Sequence, residues 1–255
     1  MLAGILLLAF VSLLGILSHR QSRLEKKVLK NIPLIDWIMI MGIPVGIFAG
    51  WYILTGNILD REKIPFIPMD DFDILAALTL FMIYVAIGLG VHFTAKVLWR
   101  YLSADDKSDA HKINEMLHNK FSHYMAYFNG FFAIFMLCVL EINHPLNSPM
   151  FSSNIILIIL AGIICGFSLC KMILYTNEWF GGYNKPLVFL VFILLGLILN
   201  ISRVLKLNNS YYPVKLFITT VFASFLISFA IRQVLIFTRL GHKRRLRFLA
   251  KILSV

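Results

Sequence analysis

Residues 72–101 read FDILAALTLFMIYVAIGLGVHFTAKVLWRY. Between Asp73 and His92 no side chain is ionised at neutral pH, and no proline interrupts the run. The run is too long for a strand, and crossing a hydrocarbon core takes about 20 apolar residues as a helix. Its polar residues follow an order. Tyr84, Gly88, His92, Lys96 and Arg100 recur at every fourth position and so form one stripe along one face. An apolar helix carrying a single polar stripe is expected to turn that stripe inward, against other helices.

The rest of the chain repeats the pattern. Apolar runs occupy about 1–18, 33–57, 72–101, 121–142, 154–175, 186–201 and 213–238. Of the 255 residues, 59% are hydrophobic and 15% are charged, where a soluble domain has roughly half and a quarter. Too few charges remain to coat a soluble enzyme, and too much apolar surface is present for disorder. The runs are continuous rather than alternating, which excludes a β-barrel. The expected fold is therefore all-α: an integral membrane bundle of about seven spans forming one domain. Pro33, Pro186 and Pro213 fall at expected helix starts, whereas Pro44 falls inside the second span and is expected to disturb it.

Lys and Arg gather on the cytoplasmic side of short loops. They cluster after the first run (Arg20, Arg23, Lys26, Lys27, Lys30), after the third (Lys107, Lys112, Lys120) and in the tail. This places the N-terminus outside and the C-terminus inside, most naturally in a plasma or bacterial inner membrane. The loop with Arg203, Lys206 and Lys215 dissents. Residues 103–120 read as a helix on the cytoplasmic surface or an extension of the fourth span, with Ile113, Met116 and Leu117 on one face. Residues 239–255 read as a basic amphipathic tail that meets anionic lipid. Lipids, other membrane proteins or a second copy of the chain are the partners implied; nucleic acid is not.

Small residues mark close helix contacts. Gly42, Gly46 and Gly50 form a tandem G-x-x-x-G in the second run, and Gly162 and Gly166 repeat that spacing in the fifth. Packing within one chain is the plainer reading, and a dimer interface the other.

The chain has no phosphate-binding loop, no dinucleotide fingerprint and no H-E-x-x-H motif. Cys138, Cys165 and Cys170 lie in apolar runs without metal-ligand spacing. Function is therefore sought among the polar groups within the spans. Asp36, His92, Lys96, His123, Lys171 and Arg232 all fall at the depth of the inner leaflet. In the plainest reading the cations snorkel to lipid phosphate. A sharper reading makes these residues an anion or lipid-headgroup site in a non-enzymatic transport, lipid-handling or complex-forming protein. The rival is a membrane enzyme or electron carrier. There His92 and His123 would hold b-type haem, with His118 added for a metal ion, and Gly88 and Gly130 would leave room for a macrocycle.

Overall fold

The computed structural model describes residues 1–18, 28–29, 32–102, 108–175 and 184–239. The basic segment at 20–27, the start of the expected surface helix at 103–107 and the tail from 240 lie outside the described residues. Within them the chain is almost wholly helical. The helices are α1 (Leu2–Ser18), α2 (Leu34–Leu59), α3 (Asp71–Leu102), α4 (Asp109–Ile142), α5 (Ser152–Tyr175), α6 (Asn184–Val204) and α7 (Pro213–Arg239). A two-residue antiparallel pairing, Val28–Leu29 with Ile32–Pro33, precedes α2. Six helices, α2 to α7, are long and apolar enough to cross a membrane by length and composition. The 17 residues of α1 are equally apolar, but at about 1.5 Å per residue they cover only about 25 Å.

Packing divides the helices into close pairs. α3 lies along α4, α5 lies along α7, and α1 sits between α5 and α2. α6 leans on α7 and α4. The glycines explain two of these contacts. A Cβ at Gly50 would meet Leu8 of α1 at 2.7 Å, and one at Gly46 would collide with Val11. Gly162 and Gly166 face Thr220 and Ser224 of α7, and a Cβ at Gly162 would stand 2.7 Å from the Thr220 Cβ. These four glycines serve contacts inside the chain. Gly42 differs, because only Ile38 of its own helix lies near the place of its missing Cβ.

Two helices contain a π turn. In α2 it runs from Ile38 to Gly42, just before Pro44. Proline has no N–H to give the preceding turn, and widening to i→i+5 bonding accommodates the loss; the Ile43 N–H accordingly bonds the Ile38 carbonyl. In α4 the π turn runs from Leu117 to Ser122. The segment before it, Asp109–Met116, is N-capped by Ser108 and continues into α4. It therefore extends the span. Its apolar Ile113 and Met116 point outward at 55% and 51% exposure, while His111 and Asn114 are buried. Asn114 Nδ2 donates to the Ala95 carbonyl of α3 at 2.9 Å, which fixes the segment to that helix.

Candidate functional site: a cavity capped by three histidines

A cavity of about 220 Å³ lies among six helices, α1 to α5 and α7. Its wall is apolar: Val11, Ile43, Ile47, Val85, Leu89 and Leu137 are typical. Its histidines lie at one end, where His92 of α3 and Ser122 and His123 of α4 line it, with Tyr127 one turn further in; Ser12 and Trp51 add a hydroxyl and an indole N–H along the wall. We call this the histidine end and the opposite one the Glu141 end.

The histidines are brought together by two features of α3 and α4. The first is Gly88, one turn before His92. A Cβ there would stand 2.8 Å from Ala126 N and 3.0 Å from the Ser122 carbonyl, so the α4 backbone fills the space. That close approach carries His92 up to α4, and it corrects the expectation that Gly88 leaves room for a macrocycle. The second is the π turn of α4. In an α-helix, residues five apart point well away from each other; wider winding returns His118 and His123 to one side. The Ser122 hydroxyl donates to the His118 carbonyl within that turn. The ring centroids of His92 and His118 are 4.5 Å apart, those of His92 and His123 also 4.5 Å, and those of His118 and His123 5.6 Å. Tyr127 stacks beyond His123 at 6.1 Å.

One turn along α3 from His92, Lys96 reaches across to α2. Its Nζ is 3.1 Å from Asp36 Oδ1 and 3.2 Å from the Met39 thioether. Asp36 is 1% exposed, while the Lys96 side chain keeps 29%. A carboxylate removed from water in this way depends on its partner for charge compensation. Asp36 thus stands beside Lys96, and His92, one turn from Lys96, stands beside His123 and His118. Lys171 and Arg232 are half-buried on α5 and α7. Among the described residues neither makes a hydrogen bond or ion pair to this group.

The histidine spacing bears on the rival chemistry. Two imidazoles on either side of one iron stand on the order of 6 Å apart, centroid to centroid, given metal–nitrogen bonds of about 2 Å. His92 and His123, at 4.5 Å and tilted by 45°, do not fit that arrangement. Among the described residues, no group of three or more His, Cys, Asp or Glu side chains is arranged to hold a metal ion.

The Glu141 end is built from a network whose Arg61–Glu141 contact does not show in helical spacing. Arg61, just after α2, donates to Glu141 Oε1 at 2.8 Å and to the His144 carbonyl at 3.0 Å. Glu141 Oε2 accepts the Lys215 backbone N–H at 2.7 Å. The Lys215 ammonium donates to Asn209 Oδ1 at 2.7 Å and to Ser202 Oγ at 3.3 Å, and lies 5.5 Å over the Tyr212 ring. Asn143 closes the α2–α3 connection by accepting from Ile67 N at 2.8 Å and donating to its carbonyl at 3.1 Å. His144 Nε2 lies 3.3 Å from Asp71. Lys215 is 2% exposed. It is therefore a buried structural cation, and one of the three dissenting charges of its loop is not a loop charge.

The chain matches no protein-family model, no curated protein and no solved structure.

Proposed function

We propose that this protein is a non-enzymatic membrane component that binds single-chain amphiphiles with acidic heads, as a carrier or lipid-handling protein. The observation that carries the reading is the polarity gradient of the cavity. An apolar wall leads to one end where His92 and His123 line it, with His118 against His92 and Lys96 one turn further along α3. Imidazolium and ammonium groups suit a carboxylate or phosphate, and imidazole changes charge near neutral pH. The volume is consistent with an acidic head and the first part of its chain. Where a cavity of roughly 150 Å³ holds benzene, one of this size takes about nine heavy atoms.

In this reading the histidine end lies at the cytoplasmic leaflet of a plasma or bacterial inner membrane, N-terminus outside and C-terminus inside, which the positive clusters support. The basic tail at 239–255 then meets anionic lipid on the same side.

The test uses the protein in lipid nanodiscs with tritiated dodecanoate as probe and empty discs as background. Saturable binding is expected, with dodecanol competing at least tenfold less well than unlabelled dodecanoate. In His92→Ala that preference for the acid should largely disappear. Absence of saturable binding, or equal competition by the alcohol, would remove the reading.

A further inference from the structure

A binding site inside a bundle needs a route to it, and the helix contacts indicate where that route lies. Both α2 and α3 line the cavity, α2 with Met39, Ile43 and Ile47, α3 with Val85, Leu89 and His92. Yet among the described residues α2 does not pack along α3. It is held by α1, through Gly46 and Gly50, and touches α4 lightly. The two helices therefore form adjacent walls of one cavity with little direct contact between them. The outward faces of the two helices are apolar as well, with Met41 and Val45 exposed on α2 and Ile83 and Ile87 exposed on α3.

Among the described residues, an ion pair crosses the seam. Lys96 of α3 reaches Asp36 and Met39 of α2 at the histidine end. The part of α2 that it holds, Leu34 to Gly42, lies on the far side of Pro44 from the glycines that anchor α2 to α1. It includes the π turn, a wound segment with an altered hydrogen-bond ladder. At the other end α2 is tied to α4 through Arg61 and Glu141. The latch is thus borne by the stretch of α2 with the altered ladder, away from the Gly46 and Gly50 contacts and from the Arg61 tie.

We propose that the seam between α2 and α3 is a lateral portal through which the cavity takes its acidic amphiphile directly from the bilayer, with Lys96 on Asp36 and Met39 as its latch. This rests on the binding function proposed above. It also accounts for the cavity's size. A chain longer than the cavity can leave its tail in the seam, among the lipid, while its head sits at the histidines.

The test joins the two walls. In a background with Cys138, Cys165 and Cys170 replaced by alanine, Ile43→Cys and Leu89→Cys are bridged with a short bis-maleimide after the protein has folded. Because both residues line the cavity, the reference is the same double-cysteine protein capped with a monofunctional maleimide. Tritiated dodecanoate is added either before or after modification. Bridging first is expected to slow loading at least tenfold relative to capping, and bridging after loading to slow release by a similar factor. Loading at the same rate in bridged and capped protein would overturn the portal. A second pair, Ile47→Cys with Val85→Cys, repeats the measurement one turn deeper and should give the same result. Asp36→Asn, which removes the latch charge, should speed both loading and release several-fold; unchanged rates would overturn the latch. If wild-type protein binds no dodecanoate at all, the function is refuted rather than the route.

Discussion

At the Glu141 end of the bundle, a fully buried carboxylate takes a guanidinium from the end of α2 and a backbone N–H from α7, and Asn143 stitches down the α2–α3 connection. At the histidine end, three imidazoles lean on one another beside a cavity, and one partly exposed lysine bridges to a buried aspartate. Both ends are polar and both carry an ion pair. They differ in what surrounds the charges. The first spends its polar groups on joining connections and helix ends, with close donor–acceptor geometry. The second gathers ionisable rings against an apolar space. Polarity within a membrane bundle is therefore not in itself a sign of function; polarity that borders a cavity is the informative kind.

Substitutions can separate the two ends. The largest effect is expected from Glu141→Ala, which leaves Arg61 without its carboxylate and the Lys215 N–H without its acceptor. Breaking a buried pair in this way costs about 3–5 kcal/mol. Thermal unfolding in detergent should show a large fall in Tm, while protein that remains folded keeps its preference for dodecanoate. A small change in Tm would mean that the network is ornamental.

Next in size is Gly88→Ala. The added methyl must push α3 from α4 at Ala126 and Ser122, at a cost of about 1–3 kcal/mol. Unlike the first variant, it should weaken dodecanoate binding as well as stability, because His92 moves with α3. Binding unchanged despite a lowered Tm would show that the histidine spacing does not matter.

His92→Ala should invert the pattern of Glu141→Ala. Binding of dodecanoate is expected to fall about tenfold, equivalent to about 1.4 kcal/mol, with a Tm shift much smaller than that of Glu141→Ala. A greater loss of stability than of binding would make this end structural too.

The smallest effect belongs to Lys63→Met on the exposed rim of the Glu141 end. Lys63 bonds Asp71 and Asp70 at 3.0 and 3.2 Å. The hydrogen bond to Asp71, chiefly, raises its ammonium above the ordinary lysine value. A raised folded-state value means that the contribution is complete below the usual lysine range and is lost as pH climbs through the raised one. Melting curves of the two proteins should differ barely at neutral pH and coincide in strong alkali. A large difference at neutral pH would show that the rim shares the strength of the buried pair.

The helices were legible because a span needs a continuous apolar run; of the seven runs, six return among the described residues as helices long enough to cross a membrane, and the first as a shorter apolar helix. Part of the site was legible for a similar reason. His92 and Lys96 share a stripe on α3, and His123 and Asp36 lie at matching depth. Depth alone does not tell whether Lys171 and Arg232 bond to that group, since it says nothing about the direction in which a side chain leaves its helix. The π turn of α4 was not legible, because apolar periodicity is read on an assumed 3.6-residue winding. The role of Arg61 was also hidden. Its partner is 80 positions away, and a cation followed by acids in a loop looks solvated until the fold places it over Glu141.

The turn from Leu117 to Ser122 holds, in effect, one residue more than ordinary winding would. Losing a single amino acid there would let α4 rewind as a regular spiral with the helix on either side keeping its phase. His118 and His123 would then stand four apart and still share one side, and Asn114 would keep its grip on Ala95. The Glu141 end would keep its bearings too. A one-codon deletion is thus a milder lesion here than in a regular helix, because the surplus residue can be shed without turning either assembly of side chains.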